Sequence, residues 1–278
     1  MALYTMKELL ADARKKGYGI GFFNTVNLEM VRACIRAAEE ANSPIIIGTA
    51  EALLEYADFD WVAPLMLEQA RNARVPVAVH LDHSYQVETI LRALRAGFGS
   101  VMYDGSRSDH RDNVRVSGEI VRVAKPMGVG VECELGRVGG LSDETGREDS
   151  MVYTDPLEAR DFIEATGADF LAVSIGTVHG VYKSEPRLDI GLLEKIREAV
   201  DVPLVLHGGS GLSEEDFKKT IAGGISKINV FTDVILAARA ALLESKDLSY
   251  IDMCRRAEEA MQDAVRAKLT LFGSAGRA

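Results

Sequence analysis

Short hydrophobic runs alternate along the chain with longer segments in which hydrophobic residues recur at helical spacing. Each hydrophobic run ends in polar or glycine residues before the amphipathic segment begins. In the first such segment, residues 28–41, the side chains of Met30, Val31, Cys34 and Ala38 fall on one face of a helix. The repetition predicts β-strands that are each followed by an α-helix.

Eight strand–helix units can be placed in this way. The strands are predicted at residues 18–23, 44–48, 75–81, 100–103, 128–133, 170–175, 203–206 and 227–230. The helices are predicted at residues 28–41, 61–72, 87–96, 112–124, from 156 onward, at 190–200, at 214–222, and from the last strand to about 271.

The strand sequences are almost continuously apolar, as in IIIGT, VAVHL and LAVSI, which is typical of parallel strands buried on both faces. A closed (β/α)8 TIM barrel takes about 250 residues, and the chain has 278. No GxGxxG motif opens the first helix, which disfavours an open dinucleotide-binding sheet. We therefore expect an α/β fold, a TIM barrel forming one domain over residues 1–278, with about residues 232–278 as extra C-terminal helices.

Composition narrows the possible partners. Hydrophobic residues make up 47% and charged residues 27%, as in ordinary globular proteins, and the net charge is −10. That charge argues against nucleic acid or an anionic membrane as a partner. No apolar stretch reaches the length of a membrane span, and no signal peptide is evident. The three cysteines (Cys34, Cys133 and Cys254) form no CxxC pair and suit reduced thiols, so we expect a cytoplasmic protein.

Every predicted strand ends in residues suited to chemistry or to anion binding. In barrels of this kind the active site lies at the carboxyl ends of the strands. These polar residues are Asn24, Thr49, Asp82, His83, Asp104, Glu132, Glu134, Ser174, Thr177, His179, His207, Ser210, Asn229 and Thr232. Their shared position predicts one site at this end of the barrel.

Three histidines at these ends, His83, His179 and His207, follow three different strands. Three imidazoles with open coordination positions are typical of catalytic zinc, although iron, cobalt or nickel would also suit them. Glu132, Glu134 and Asp104 are placed to orient the imidazole rings. The alternative interpretation is that the three histidines are unrelated polar residues.

The two remaining histidines lie elsewhere in the pattern. His80 falls inside an apolar run, so we expect a hydrogen-bonded core residue or one that supports the metal site rather than a ligand. His110 lies in the polar stretch SRSDHRD and is expected to be solvated.

Two loops are candidates for phosphate binding. HGGSG at residues 207–211 follows the seventh strand, and NVFTD at residues 229–233 follows the eighth and opens a helix. Barrels often bind phosphate there through backbone N–H groups, to which Ser210 and Thr232 would add hydroxyl donors. The alternative is that GGSG is only a flexible turn.

Proton transfer has two candidate locations. Asp82 adjoins a proposed ligand and could take a proton from a substrate hydroxyl, or it could be a structural carboxylate. The polar loop at residues 136–155 is long, and loops of this length without structure of their own often act as lids.

The segments HLDH, VECELGRVGG, IGTVHGVYK, LVLHGGSG and INVFTD resemble those of the class II, metal-dependent fructose-bisphosphate and tagatose-bisphosphate aldolases. The resemblance runs in order through nearly the whole chain. It implies a zinc-dependent, reversible cleavage of a ketose 1,6-bisphosphate to dihydroxyacetone phosphate and glyceraldehyde 3-phosphate. It also implies a homodimer or homotetramer and a monovalent cation, Na⁺ or K⁺, near the phosphate.

The resemblance also implies roles for individual residues. Asp82 would be the base at the C4 hydroxyl, with Asp104 and Glu134 in support, and the three histidines would bind zinc. The substrate would contact Asn24, Thr49, Gly180, Gly208, Gly209, Ser210, Asn229, Val230, Phe231 and Thr232, and Arg277 would reach a neighbouring subunit's site.

One position departs from the family pattern. Ser142 stands where a lid glutamate is expected, and Asp143 or Glu144 would have to replace it. Lys183, the lysine nearest the site in the sequence, lies in a loop, which argues against a lysine-dependent aldolase. Two alternatives stay open: an aldolase acting on a related phosphorylated keto-sugar or deoxy-keto-sugar acid, as in inositol or hexitol catabolism, and a non-catalytic phosphosugar-binding barrel.

Overall fold

The computed structural model describes residues 3–141, 148–182 and 185–278. Eight parallel strands form a closed barrel in which each strand pairs with its neighbours in sequence and the last pairs with the first. The strands are β1 (Ile20–Asn24), β2 (Ile45–Ala50), β3 (Val77–Ser84), β4 (Ser100–Tyr103), β5 (Gly130–Leu135), β6 (Phe170–Val173), β7 (Leu204–Leu206) and β8 (Ile225–Val230). The predicted TIM barrel is confirmed.

Ten α-helices are found in the described part of the chain. They are α1 (Met6–Lys16), α2 (Leu28–Ala41), α3 (Phe59–Asn72), α4 (Val87–Ala96), α5 (His110–Ala124), α6 (Pro156–Thr166), α7 (Ile190–Ala199), α8 (Glu214–Ala222), α9 (Thr232–Glu244) and α10 (Tyr250–Leu271). Short 3₁₀ helices occupy Glu51–Glu55 and Lys125–Met127. No helix in the described ranges is long and apolar enough to cross a membrane.

The first helix, α1, was not predicted. Its buried residues Met6, Leu9 and Leu10 pack in one cluster with inward-facing strand residues such as Phe22 and Phe170. The sequence before β1 has mixed charge, so its apolar face was not recognised. Helix α1 thereby covers the amino-terminal end of the barrel interior and leaves the other end for the polar residues.

The C-terminal region forms two helices where one continuous helical stretch was expected. Helix α9 ends at Glu244, and α10 begins after Ser249, whose side chain accepts a hydrogen bond from the Asp252 N–H. Helix α10 packs against α2, and its buried Glu258 pairs with Arg36. The extra C-terminal helices are confirmed, with a break between them.

The loop after β5 contains structure that was not expected. Gly139–Leu141 pairs in an antiparallel manner with Glu148–Asp149 and in a parallel manner with Val178–His179, so that Gly140 lies opposite His179. The prediction of a loop without structure of its own is therefore wrong for these segments. Their pairing attaches the loop after β5 to the strand that carries a predicted metal ligand.

Candidate metal and phosphate site

The three predicted ligands come together at the carboxyl end of the barrel. One ring nitrogen from each of His83, His179 and His207 lies within 4.8 Å of the others. Because β3 extends to Ser84, His83 belongs to the strand itself, and its backbone adopts φ 37°. A left-handed conformation at a non-glycine residue costs about 1–3 kcal/mol and tends to occur at functional sites.

Carboxylates fix two of the rings. His83 Nδ1 lies 2.9 Å from Asp104 Oδ2, and His207 Nε2 lies 3.0 Å from Glu132 Oε1. Since these nitrogens donate to carboxylates, His83 Nε2 and His207 Nδ1 are the nitrogens left for a metal. Carboxylate partners of this kind were predicted from the sequence.

The free nitrogens fit a divalent metal. Within the described ranges, His207 Nδ1 and His179 Nε2 are buried without a hydrogen-bond partner. Buried polar nitrogens normally have a hydrogen-bond partner, so these two unpartnered nitrogens fit the role of metal ligands. Three convergent imidazoles are a donor set that binds zinc and similar ions.

Burial affects the three histidines differently. It lowers the pKa of His179 and, aided by the His83 charge, that of His207, so both rings are neutral as metal binding requires. Burial alone would also lower the pKa of His83. The Asp82 charge and the hydrogen bond with Asp104 outweigh it and raise the pKa of His83 to about 10. The metal-free site therefore holds a proton on His83.

Asp82 lies beside the triad with a fixed carboxylate. Asn24 Nδ2 donates to its Oδ2 over 3.1 Å, and Asn229 Nδ2 donates to its Oδ1 over 3.0 Å. Burial alone would raise the pKa of Asp82, but the charges of His83 and Lys227 lower it well below its ordinary value. Asp82 is therefore ionised, and the two asparagines orient its carboxylate.

Glu134 is a buried carboxylate with few groups that stabilise its negative charge. Its Oε1 accepts a hydrogen bond from the Val138 N–H over 3.3 Å, and its Oε2 lies 3.6 Å from His207 Nδ1 without a hydrogen-bond partner among the described residues. Burial and the nearby negative charge of Asp104 raise the pKa of Glu134. A positive charge among the three histidines would lower the pKa of Glu134 again.

A cleft adjoins the triad and contains most of the predicted substrate contacts. Its lining comprises Asn24, His83, His179, Gly180, Gly208, Gly209, Ser210, Asn229, Val230, Phe231 and Thr232. Helix α9 begins at Thr232, and its N-cap, Phe231, provides no side-chain hydrogen bond. A helix N-terminus at a cleft favours an anion such as phosphate.

Gly208 shows why the cleft needs glycine. It adopts φ 67°, and a Cβ there would lie 2.3 Å from the Val178 carbonyl oxygen. Tyr182 fixes the same two loops, because its hydroxyl donates to Gly208 O over 2.9 Å and accepts from the Val178 N–H over 3.2 Å. The turn at Gly208 is therefore held in one conformation by hydrogen bonds and is not a flexible connection.

Two of the predicted substrate contacts, Thr49 and Arg277, are not in the cleft lining. Thr49 is fully buried in β2, outside the cleft lining. Arg277 stacks over Tyr18, before β1, at the opposite end of that strand from Asn24, so it does not reach the site of its own chain. Asp143 lies outside the described residues, as do Ser142 and Glu144.

The histidines outside the triad lie as predicted. His110 is exposed at the start of α5. His80 is fully buried; its Nδ1 lies 2.9 Å from Ser100 Oγ, and its ring packs edge-on against Phe22. Burial and the Lys227 charge lower the pKa of His80 to about 3, so its ring is neutral.

One buried residue was overlooked. Lys183, the lysine nearest the site in the sequence, lies outside the described residues. Lys227 is inside the barrel, and its Nζ lies 2.8 Å from Glu132 Oε2. Strand periodicity indicates this position, because Lys227 is two residues before Asn229 in a strand and its side chain therefore points to the same face.

The fold and the site together define a class of protein. The chain belongs to the class II fructose-bisphosphate aldolase family, whose pattern matches residues 4–277. The resemblance noted in the sequence is thus confirmed, and the family is one of lyases.

Two relatives show how far the similarity extends. YdjI of Escherichia coli strain K12 is 42% identical over 270 residues, which cover 96% of each chain. The fructose-bisphosphate aldolase of Thermus caldophilus is 42% identical over 305 aligned positions, covering 99% of this chain and 100% of that one. The crystal structure of the YdjI aldolase superposes with a TM-score of 0.92 at 40% identity and covers 99% of both chains.

Proposed function

We propose that the protein is a zinc-dependent aldolase that reversibly cleaves a ketose 1,6-bisphosphate, fructose or tagatose, into dihydroxyacetone phosphate and glyceraldehyde 3-phosphate. The observation that carries the proposal is the convergence of His83, His179 and His207 within 4.8 Å beside the ionised Asp82. The family assignment supports the reaction class.

The metal would be held by His83 Nε2, His207 Nδ1 and a nitrogen of His179. When bound, a divalent ion supplies Lewis acidity, which stabilises negative charge developing on substrate oxygens. Asp104 and Glu132 keep two of the imidazoles turned toward it. Glu134, whose Oε2 lacks a partner within the described ranges, supports the site at its edge.

Asp82 would accept the proton of the C4 hydroxyl as the C3–C4 bond breaks. Its carboxylate is ionised and held from both sides by Asn24 and Asn229. The side-chain oxygens of both asparagines are buried and lack hydrogen-bond partners in the described part of the chain, so they are open to substrate hydroxyls. The same two residues can therefore orient both base and substrate.

The dihydroxyacetone phosphate portion would occupy the cleft. Its phosphate would bind backbone N–H groups of Gly208 and Ser210 and the N-terminus of α9 at Thr232, with Gly180, Gly209, Val230 and Phe231 completing the wall. A monovalent cation, Na⁺ or K⁺, beside the phosphate is part of the proposal and rests on the family resemblance. A homodimer or homotetramer in the cytoplasm is proposed on the same basis.

The aldehyde portion distinguishes the possible substrates. YdjI and the Thermus caldophilus fructose-bisphosphate aldolase are each 42% identical to this chain, and the description of YdjI names no sugar. Ser142, in place of the expected glutamate, favours the second candidate: the same cleavage of a related phosphorylated keto-sugar or deoxy-keto-sugar acid. A non-catalytic phosphosugar-binding barrel is the least favoured, because Asp82 and all three histidines are present.

A coupled assay tests the proposal. Release of dihydroxyacetone phosphate is measured for fructose 1,6-bisphosphate, tagatose 1,6-bisphosphate and longer phosphorylated keto-sugars and sugar acids, with wild type and Ser142→Glu in parallel. Cleavage of a 1,6-bisphosphate by wild type supports the first substrate. Cleavage only of the others supports the second candidate, and no release from any of them would favour the binding barrel.

A further inference from the structure

Lys227 is a fully buried cation in the barrel interior. It lies on β8, and its ammonium crosses to β5, where Nζ is 2.8 Å from Oε2 and 3.1 Å from Oε1 of Glu132. The Phe22 ring lies 4.6 Å from Nζ. A buried lysine is strongly disfavoured unless it is paired, so this position is tolerated because of the carboxylate.

The ammonium lies beside a second cluster of possible metal ligands. His80, Asp82 and Glu132 have ligand atoms within 4.8 Å of one another, a spacing that suits an ion. Lys227 Nζ lies 2.8 Å from Glu132 and 3.8 Å from Asp82 Oδ1. The chain thus supplies its own cation to this cluster.

Glu132 links Lys227 to the metal site. Its Oε1 lies 3.1 Å from Lys227 Nζ and 3.0 Å from His207 Nε2, so one oxygen accepts from both residues. His207 Nδ1, on the other side of the ring, is the nitrogen without a partner in the described ranges. The orientation of Glu132 therefore decides where the His207 lone pair points.

We infer that Lys227 is a positioning residue of this site. It holds Glu132 against His207 and thereby orients a metal ligand. Because it also lies beside Asp82, its positive charge offsets the negative charges of both carboxylates. The inference rests on the proposed metal-dependent cleavage. Without the ammonium, Glu132 loses its bidentate partner and can turn away from His207. Metal affinity then falls although all three histidines are present.

The test uses Lys227→Met, which keeps the length of the side chain and removes the charge. Purified metal-free protein is titrated with Co²⁺, and both the dissociation constant and the visible spectrum are recorded. The values of kcat and KM are measured on the ketose phosphate that the wild-type protein cleaves in the coupled assay. Loss of a residue that orients a ligand typically costs about 10–100-fold in metal affinity. We expect a loss of that size, an altered cobalt spectrum, and a fall in kcat that exceeds any change in KM.

Lys7→Met is the matched control. Lys7 forms an ion pair of 2.8 Å with Asp169, which precedes β6 at the other end of the barrel. Removing this pair is expected to leave the cobalt affinity and spectrum at wild-type values. Circular dichroism and thermal unfolding establish that each variant is folded before it is titrated.

The double variant Lys227→Met/Glu132→Gln keeps the inference testable if Lys227→Met alone does not fold. It leaves no uncompensated buried carboxylate at residue 132, so it is expected to fold even where Lys227→Met does not. If Lys227 positions the site, cobalt binding stays weak, because a neutral amide replaces the carboxylate beside His207. Wild-type affinity and spectrum in either folded variant would overturn the inference.

Measurements on the wild-type protein distinguish an error about Lys227 from an error about the proposed function. If wild-type protein binds no cobalt and releases no dihydroxyacetone phosphate, the proposed function fails. If wild type binds and cleaves while Lys227→Met matches it in both, only the role of Lys227 is wrong.

Discussion

Asp104 Oδ2 lies 2.9 Å from His83 Nδ1, so the carboxylate at the end of β4 fixes the imidazole at the end of β3. The contact orients the ring, because Nδ1 donates to the carboxylate and Nε2 is the nitrogen left for a metal once it is deprotonated. It also joins two neighbouring strands at the mouth of the barrel. The geometry of the metal site thus depends on residues that would not themselves touch the metal.

Asp104→Asn tests this dependence. The amide cannot accept as strongly from His83, so we expect metal affinity to fall about 10–100-fold while the fold is retained. Competition with a chelator of known affinity measures the loss. Asp109→Asn, at the exposed N-cap of α5, is the matched control because it changes the same residue type in the same loop away from the three clustered histidines. Equal metal affinity in both variants would contradict the assigned role of Asp104.

Mutation of a metal ligand and mutation of the base should have different effects on metal content and activity. His83→Ala removes one of three imidazoles and is expected to lose both metal and turnover. Asp82→Ala is expected to keep the metal and lose cleavage by about 10²–10⁴-fold, the typical contribution of a positioned acid or base. Elemental analysis of the purified variants and the coupled assay measure the two properties. Metal loss in Asp82→Ala would show that the residue is a ligand instead.

Metal binding should release protons. His83 has its pKa raised to about 10 in the metal-free site, so it is protonated at neutral pH and must lose that proton to bind a metal. Raising the pH removes the competing proton, so apparent affinity should rise about tenfold per pH unit below that pKa.

Calorimetry in buffers of different ionisation enthalpy counts the released protons. We expect about one proton per ion at pH 7 from His83. Because the pKa of Glu134 is also raised, Glu134→Gln shows whether that residue adds to the release. Affinity that does not change between pH 6 and 8 would rule out a protonated His83 in the metal-free protein.

The barrel wall below the site allows no side chain at Gly48. A Cβ there would lie 1.9 Å from the His80 carbonyl oxygen on the adjacent strand β3. We expect Gly48→Ala to lower the free energy of unfolding by about 1–3 kcal/mol or more, as overpacked cores do.

Gly99→Ala is its control, because a Cβ there meets its nearest atom, Tyr4 O, at 3.4 Å. Chemical denaturation of both variants measures the difference. Equal stability of Gly48→Ala and wild type would show that β2 and β3 are further apart than described.

Much of this arrangement could be predicted from the sequence, for identifiable reasons. Hydrophobic runs ending in Asp82-His83 or His207-Gly208 report both the strand and its functional end, because parallel barrels bring all carboxyl ends together. The buried pairing of Lys227 with Glu132 could not be predicted in the same way. The two residues are 95 positions apart, and their contact depends on the closure of the barrel.

Other features depend on local geometry that periodicity does not encode. The positive φ of His83 is a local backbone feature that no periodicity in the sequence reports. The pairing of Gly140 with His179 comes from a loop whose strands are two or three residues long, too short for a period to be detected. Arg277 was assigned by resemblance alone, and its stacking on Tyr18 depends on how the C-terminus folds back.

Removal and return of the metal test the central claim most directly. Protein stripped with a strong chelator and assayed for release of dihydroxyacetone phosphate is expected to be inactive, and one equivalent of Zn²⁺ or Co²⁺ per chain should restore the rate. The same samples are treated with substrate and borohydride, which would trap a lysine imine, and no trapping is expected. Full activity in excess chelator, with substrate covalently trapped on a lysine, would contradict the account.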